Sequence, residues 1–280
     1  MSDNRPIGVF DSGMGGLTVL KAMRAALPEE DLVYLGDTAR LPYGTKSPGT
    51  VRAYALQAVQ LLMQHDVKMV VIACNTASSV ALGPLSEALR PLPVIGVVEP
   101  GAEAGCAATE NGHIAVIATE STVRGGAYER AINAQAKDVT VTQLACPLFV
   151  ALAEEGWTDG DVTEAAIQRY LLPLFPEGGE VPDTLVLGCT HFPVLAGAIS
   201  KVLGDKVTLV DSAETTARAV AASLAEHGLA HAPQKKSAVR FMATDSPDRF
   251  ARVGSVFFGE EIAPEDVELV DLKPAAAAQP

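Results

Sequence analysis

The sequence of 280 residues is poor in aromatic residues, basic clusters and long apolar runs. Aromatic residues make up only 5% of it, so aliphatic side chains must fill the core that a 48% hydrophobic composition implies. The formal net charge is -13 and the longest basic run is Lys235-Lys236, which argues against a surface that tracks nucleic-acid phosphates. No apolar run approaches the ~20 residues of a membrane helix, and no secretory signal is recognisable. We therefore expect a cytoplasmic protein that binds neither nucleic acid nor a membrane.

Cysteine is also scarce, and its spacing excludes several kinds of site. No two cysteines form a C-x-x-C pair, and no cluster of cysteine and histidine has the spacing of zinc ligands. So few scattered cysteines in a large chain are typical of a reducing compartment with free thiols. The sequence thus predicts no metal site and no disulfide framework for its four cysteines, which are Cys74, Cys106, Cys146 and Cys189.

What the sequence does contain is an alternation of short β-branched runs with segments of helical apolar spacing. This alternation predicts an α/β fold with mostly parallel sheets that are covered by helices on both faces. Two short strands are also predicted late in the chain, at Val239–Met242 and Val256–Phe258. The main predicted strands are Ile7–Phe10, Leu32–Leu35, Met69–Ala73, Val94–Val98, Ile114–Ala118, Val139–Leu144, Leu185–Leu187 and Val207–Val210.

Two pairs of segments resemble each other at similar spacing. "IGVFDSGMGG" matches "IAVIATESTVRGG", and "VVIACNTASSVAL" matches "LVLGCTHFPVLAG". The repeat predicts two pseudo-symmetric, doubly wound α/β domains with a ligand site in the cleft between them. We place the seam near Glu99-Pro100-Gly101, where proline and glycine break the pattern. Residues 1–98 and 209–280 would form the first domain and residues 99–208 the second, with a disordered low-complexity tail at 274–280.

Two of the loops that follow strands have more than one interpretation. In "FDSGMGGLTV", Asp11 and Ser12 precede a glycine-rich segment that leads into a helix. Alone, this segment indicates either a tight βα turn or a weak phosphate loop, since it lacks both G-x-G-x-x-G and G-K-[ST]. In "GDTARLPYGTKS", Tyr43 and Gly44 follow Pro42 in a long polar loop. That loop is either a surface turn or the wall of a site.

Cys74 and Cys189 each end an apolar strand and each precede a polar pair, Asn75-Thr76 and Thr190-His191. One such cysteine is usually a core residue, but a pseudo-twofold axis would place the two sulfurs face to face across the cleft. Facing thiols suit a redox disulfide, a metal site, or acid/base chemistry on the two faces of one carbon. The wide spacing disfavours the disulfide, and the lack of further ligands besides His191 disfavours the metal. Proton transfer at a stereocentre fits best, with Asp11 and His191 as natural partners of the sulfurs.

Four motifs in this order, "GVFDSGMGGLTVLK", "GDTARLPYG", "ACNTAS" and "GCTHFPVL", resemble the glutamate racemases of the cofactor-independent aspartate/glutamate racemase family. The resemblance implies interconversion of L- and D-glutamate by two-base proton transfer at Cα, without pyridoxal phosphate or metal. It also implies that the D-glutamate enters peptidoglycan. By this resemblance, Cys74 takes the proton from D-glutamate and Cys189 takes it from L-glutamate.

The same resemblance assigns the remaining site residues. Asp11, His191 and Glu154 would support the two cysteines, although the family usually has proline where this chain has Ala151. Cys106 and Cys146 match no catalytic position and are expected to be structural. The substrate-contacting positions would be Asp11, Ser12, Tyr43, Gly44, Asn75, Thr76, Thr190 and His191.

The family forms dimers, so we expect a homodimer that acts on a small molecule. One alternative is another member of the group, such as an aspartate or hydantoin racemase, a maleate isomerase or a malonate decarboxylase. The presence of two cysteines argues against the decarboxylase. The alternative from a different class is a binding module whose two α/β lobes close on an amino acid without reaction.

Overall fold

The computed structural model describes residues 3–176, 180–232 and 237–272, so the predicted tail at 274–280 lies outside the described residues. Strands and helices alternate along the chain, as the sequence predicts. Among the described residues, no helix is both long enough and apolar enough to cross a membrane. The strands are β1 Ile7–Asp11, β2 Leu32–Gly36, β3 Met69–Ile72, β4 Val94–Gly96, β5 His113–Ala118, β6 Thr140–Ala145, β7 Thr184–Gly188, β8 Thr208–Asp211, β9 Val239–Ala243 and β10 Val267–Leu269. The α-helices are α1 Leu17–Ala26, α2 Pro48–Met63, α3 Asn75–Ala88, α4 Val98–Ala108, α5 Glu120–Gly125, α6 Ala127–Gln135, α7 Pro147–Glu154, α8 Asp161–Leu171, α9 Ala196–Leu203, α10 Ser212–His227 and α11 Pro247–Phe258.

The strands form two separate parallel sheets. The first has six strands in the order β10-β9-β2-β1-β3-β4, and the second has four in the order β6-β5-β7-β8. β1 lies between β2 and β3, and β5 lies in the same way between β6 and β7. This correspondence confirms the pseudo-symmetric, doubly wound architecture. We call the first sheet with its helices the first lobe and the second sheet with its helices the second lobe.

The central strands of both sheets are buried on both faces, which is the rule for parallel sheets that are covered by helices. Successive residues of β3 point to opposite faces, so Val71 packs in one apolar cluster and Ile72 in another. In β7, Leu187 and Val186 divide in the same manner between the two clusters of the second lobe. Because helices cover the faces, a ligand can reach the sheets only at the ends of the strands.

The predicted strand at Val256–Phe258 is wrong, because these residues form the last turn of α11. The three apolar residues belong to a longer pattern of helical period, in which Phe250, Val253 and Phe257 are buried on one face. The prediction at Val239–Met242 is confirmed by β9. The sequence analysis missed β10, of whose three residues only Val267 is buried.

The predicted domain boundary between residues 208 and 209 cuts through β8. This strand pairs in parallel with β7 and therefore belongs to the second lobe. We retain the division into two domains as a proposal, with the return to the first lobe moved to the end of β8 at Asp211. Pro100 and Gly101, near which we place the seam, lie in the first turn of α4. Backbone N–H groups in a first turn have no helical acceptor, so proline is tolerated there.

Candidate active site

A cavity of about 30 Å³ lies between the carboxyl ends of the two sheets and is lined by residues from both lobes. Both Cys74 and Cys189 line it, so the two sulfurs that the sequence singles out do meet at one site. Of the predicted site residues, only Asp11 and Glu154 are not among its lining residues. The complete lining is Ser12, Pro42, Tyr43, Gly44, Cys74, Asn75, Thr76, Thr119, Val150, Cys189, Thr190 and His191.

A much larger cavity, of about 690 Å³, lies between α1, α10 and α11. Neither sulfur lines it, and its lining includes many aliphatic side chains of helices, such as Ala22, Ala25 and Val256. The small cavity is the better candidate because nucleophilic and polar groups converge there at the ends of strands.

Cys74 lies two residues after the end of β3 and caps the N-terminus of α3. Its Sγ accepts a hydrogen bond from the Ala77 backbone N–H at 3.4 Å and donates one to Ser12 Oγ at 3.4 Å. Burial, together with the nearby charge of Asp11, raises the pKa of the Cys74 thiol to about 12. Cys74 is therefore a thiol at neutral pH in this structure.

Cys189 has a different set of partners, which form a row of contacting side chains. The Cys189 Sγ lies 3.9 Å from His191 Nδ1, and His191 Nε2 lies 3.1 Å from Glu154 Oε1. Arg249 Nη2, on α11 of the first lobe, donates to the other carboxylate oxygen of Glu154 at 2.9 Å. The ring of Phe257, also on α11, packs edge-on against His191 with centroids 5.0 Å apart. The orientation of the Cys189 partner is thus set from both lobes.

The charges along this row of side chains follow from its hydrogen bonds. Burial alone would lower the pKa of His191, but its hydrogen bonds with Cys189 and Glu154 outweigh burial and raise that pKa to about 10. For Glu154, burial raises the pKa, and the hydrogen bonds and charges of His191 and Arg249 lower it below the ordinary value overall. At neutral pH His191 is therefore an imidazolium next to Cys189, and Glu154 is a carboxylate on the far side of the imidazolium.

Asp11 ends β1 and lies behind the cavity rather than in its wall. It is fully buried, and its Oδ2 accepts a hydrogen bond from the Gly13 backbone N–H at 2.8 Å. Burial raises the pKa of this carboxyl group, whereas the charge of His191 lowers it. Asp11 therefore acts electrostatically on both Cys74 and His191, and it orders the start of the glycine-rich loop.

The glycine-rich loop lies against the polar pair that follows Cys189. A Cβ on Gly15 would lie 2.5 Å from Thr190 Oγ1 and would also collide with His191 Nδ1. At the first turn of α1, Thr18 Oγ1 donates to the Thr190 backbone oxygen at 3.2 Å. Thr190 and His191 fill the space beside Gly15, where a phosphate group would have to bind. The glycine-rich loop therefore allows close contact between the lobes and is not a phosphate loop.

The second polar loop forms a wall of the cavity rather than a surface turn. Tyr43 is buried, and its hydroxyl donates to Asp37 Oδ2 at 2.5 Å. Asp37 also accepts a hydrogen bond from Thr244 at 2.9 Å and lies 3.6 Å from Arg40. These bonds fix the loop, and Gly44 beside Tyr43 leaves room for Thr119 of the second lobe.

The polar pair after Cys74 makes hydrogen bonds to the second lobe. Thr76 Oγ1 lies 2.9 Å from Thr119 Oγ1 and 3.3 Å from Thr122 Oγ1. The Asn75 side-chain oxygen accepts a hydrogen bond from the Tyr128 hydroxyl at 2.7 Å. Both residues that the sequence assigned to substrate contact are thus held at the interface of the lobes.

Sequence reasoning missed Thr119 and Val150 in the cavity wall, and also Tyr128 and Arg249 behind it. A signal for Thr119 was present, because the internal repeat aligns the end of β5 with the end of β1, where Asp11 and Ser12 lie. No comparable signal marks the others. In residues 3–176, 180–232 and 237–272, no group of three His, Cys, Asp or Glu side chains could hold a metal ion.

Comparison with known proteins agrees with this geometry. The family model of the Asp/Glu/Hydantoin racemases matches residues 7–220. A glutamate racemase of Geobacter metallireducens is 48% identical over 269 residues, which cover 96% of this chain and 97% of that protein. A solved glutamate racemase of Francisella tularensis, in complex with D-glutamate, has a TM-score of 0.88 and 37% identity over 96% of this chain and 98% of that chain. One from Thermus thermophilus, in complex with beta-chloro-D-alanine, has a TM-score of 0.84 and 43% identity over the same shares. The chain belongs to the Asp/Glu/hydantoin racemase family.

Proposed function

We propose that this protein is a glutamate racemase that moves the Cα proton between Cys74 and Cys189. The observation that carries the proposal is that both sulfurs line one cavity from opposite lobes, each at the end of a parallel strand. The relatives that match nearly the whole chain are glutamate racemases, which supports glutamate as the substrate.

In the direction from L- to D-glutamate, the thiolate of Cys189 takes the proton from Cα. The thiol of Cys74 then donates its proton to the opposite face of the resulting carbanion, which inverts the centre. The Cα–H bond electrons remain on carbon until Cys74 protonates it, and the enzyme is left with a Cys189 thiol and a Cys74 thiolate. The raised pKa of Cys74 suits it to be the proton donor in this direction. His191, 3.9 Å from Cys189, is placed to exchange a proton with that sulfur.

Removing a proton from the α-carbon of a free amino acid requires stabilisation of the carbanion. Hydroxyl and amide groups of Asn75, Thr76 and Thr190 are placed around the cavity to bind the substrate carboxylates. The cavity of about 30 Å³ has room for at most a few water molecules and is far too small for glutamate. The lobes must therefore separate to admit the substrate and close again to exclude water.

Circular dichroism of L-glutamate, D-glutamate and L-aspartate with the purified protein, without added cofactor, tests this function. We expect each glutamate enantiomer to approach an equal mixture, with much slower change of aspartate. Faster racemisation of aspartate would favour the aspartate alternative. Binding of glutamate with no change of chirality would favour the binding module and would refute the proposal.

We further propose that the protein acts in the cytoplasm as a homodimer and supplies D-glutamate for peptidoglycan. The four free cysteines support a reducing compartment. The dimer and the role in the cell wall rest on the resemblance to the family. Sedimentation equilibrium would test the dimer, and a single species at the mass of one chain would contradict it.

A further inference from the structure

Tyr128 lies outside the cavity but contacts both cysteine loops. It is on α6 of the second lobe and is fully buried. Its hydroxyl donates to the side-chain oxygen of Asn75 at 2.7 Å, and Asn75 is the residue that follows Cys74. Tyr128 thus makes a hydrogen bond from the second lobe to the first, directly beside one of the reacting sulfurs.

Two glycines make room for the ring of Tyr128. A Cβ on Gly188 would lie 2.9 Å from Tyr128 Cε2, and a Cβ on Gly101 would lie 2.9 Å from the Tyr128 hydroxyl oxygen. Gly188 is the last residue of β7 and immediately precedes Cys189. The ring therefore fills a slot behind Cys189, while the hydroxyl reaches the loop of Cys74.

The hydrogen bond of the Tyr128 hydroxyl determines which way the Asn75 amide faces. The phenol donates its proton to Asn75, which therefore presents its side-chain oxygen to Tyr128. Burial raises the pKa of Tyr128, so the phenol keeps that proton at neutral pH.

The other end of the Asn75 amide is available to a ligand. Asn75 lines the cavity and is only 2% exposed, and within the described parts of the chain its buried Nδ2 has no hydrogen-bond partner. A buried N–H donor without a partner costs free energy unless a bound molecule accepts its hydrogen bond. A carboxylate oxygen is a suitable acceptor, whereas a flipped amide would turn its own oxygen towards the substrate carboxylate and repel it.

We propose that Tyr128 is a positioning residue that fixes the Asn75 amide so that Nδ2 donates to a carboxylate of the substrate. The inference rests on the proposed racemisation of glutamate. Because the hydrogen bond joins the two lobes, the oriented donor exists only when the lobes are closed. Substrate recognition on the Cys74 side is thereby linked to closure.

Steady-state kinetics in both directions would test this role with four proteins: the original chain, Tyr128→Phe, Asn75→Ala and the double variant. We expect Tyr128→Phe to raise KM about tenfold for both enantiomers and to change kcat less than about threefold, since a carboxylate contact is made in ground and transition states alike. In the Asn75→Ala background the same substitution should have no further effect, because Tyr128 acts through Asn75.

Tyr170→Phe is the matched control, since Tyr170 is on α8 and its ring packs against Phe149 away from the cavity. It should leave both constants unchanged. If Tyr128→Phe does not fold, Gly101→Ala tests the same hydrogen bond, because its Cβ would lie 2.9 Å from the Tyr128 hydroxyl oxygen and must displace it; this variant should raise KM at least about threefold.

An unchanged KM in folded Tyr128→Phe would overturn the positioning role. An equal increase of KM on Tyr128→Phe substitution in the original chain and in the Asn75→Ala background would also overturn it. So would an unchanged KM in Gly101→Ala. These results apply only if the original chain racemises glutamate. Failure of the original chain would refute the proposed function itself, so the two failures are distinguishable.

Discussion

At the scale of single residues, the two sulfurs have unequal surroundings. Cys74 is held by a hydroxyl and a backbone N–H, with the carboxylate of Asp11 close by. Cys189 is next to a protonated His191 that Glu154 supports. A two-base enzyme with unequal bases need not have equal rate constants in its two directions, although the equilibrium between enantiomers is fixed at unity.

Replacing either sulfur should remove racemisation. We predict that Cys74→Ala and Cys189→Ala each lower kcat at least about 10³-fold, because one face of Cα then lacks its acid or base. Cys146→Ala is the control, since Cys146 is buried in the second lobe but does not line the cavity. Coupled assays of D-glutamate formation would measure all three. A Cys74→Ala variant with near-normal rates would contradict the role of that residue.

The contacts of His191 with Glu154 and Cys189 predict a change in pH dependence when Glu154 is replaced. The carboxylate of Glu154 helps to raise the pKa of His191 to about 10, so Glu154→Gln should lower that pKa. The imidazolium would then be lost at lower pH, and the basic limb of the kcat/KM profile should move to lower pH. On that limb, above the pKa of His191, we expect a loss of about tenfold, the effect of about one pKa unit; at neutral pH we expect little change, because His191 stays protonated in both proteins.

Glu164→Gln is a suitable control for this profile, because Glu164 pairs on the surface with Lys201. Its pH profile should match that of the original chain. A basic limb that stays in place in Glu154→Gln would show that the carboxylate does not set the charge of His191.

At the scale of elements, the start of α1 lies against the loop that follows β7. Gly15 permits this approach, because any Cβ there would collide with Thr190 and His191. The hydrogen bond from Thr18 to the Thr190 backbone holds the same contact. The helix therefore helps to position the partner of Cys189 across the lobe boundary.

Gly15→Ala should displace His191 and lower kcat/KM more than about tenfold while the fold is retained. Gly197→Ala is the matched control, since a Cβ at this position in α9 would meet nothing within 4 Å. Alanine is favoured over glycine in a helix by up to about 1 kcal/mol, so the control should be as stable as the original chain or more stable. Equal activity of the two variants would contradict the contact role of Gly15.

The elements also show what the sequence could predict. Short apolar runs located nine strands, and polar residues after β1, β3 and β7 located most of the cavity wall, because these signals are local. The error at Val256–Phe258 came from interpreting three residues without the helical period that extends back to Phe250. Tyr128 and Arg249 could not be found in this way. Their partners, Asn75 and Glu154, lie 53 and 95 positions away, and only the packing of the lobes brings them together.

At the scale of the whole molecule, a buried ion pair lies at the amino ends of the strands of the first sheet, whereas the reacting groups lie at the carboxyl ends. The buried Lys68, just before β3, forms an ion pair with Glu30 at 2.5 Å and donates to the Asp3 backbone oxygen at 2.6 Å. Glu30 also accepts a hydrogen bond from the backbone of His231. This ion pair and these hydrogen bonds therefore connect four distant segments of the polypeptide at the amino ends of the strands, away from the cavity.

Lys68→Met should lower the free energy of unfolding by about 3–5 kcal/mol, because it leaves Glu30 buried without its partner charge. Arg240→Met is the control, since Arg240 pairs with Glu268 on the surface and should contribute at most about 1 kcal/mol. Urea denaturation would measure both variants. KM of the folded Lys68→Met protein should be unchanged. A similar loss of stability in both variants would show that burial of the Lys68–Glu30 ion pair does not increase the cost of removing one partner.

The central claim is that one sulfur acts on each face of a single carbon. It is tested most directly by racemisation in D₂O, with the α-hydrogen of both enantiomers followed by NMR at low conversion. Starting from either enantiomer, the account predicts that the product carries deuterium at Cα and the remaining substrate retains protium, because the proton is taken by one sulfur and a solvent-exchanged deuteron is delivered by the other. Product that retains protium, or deuterium that enters substrate and product equally, would contradict a mechanism with two separate bases.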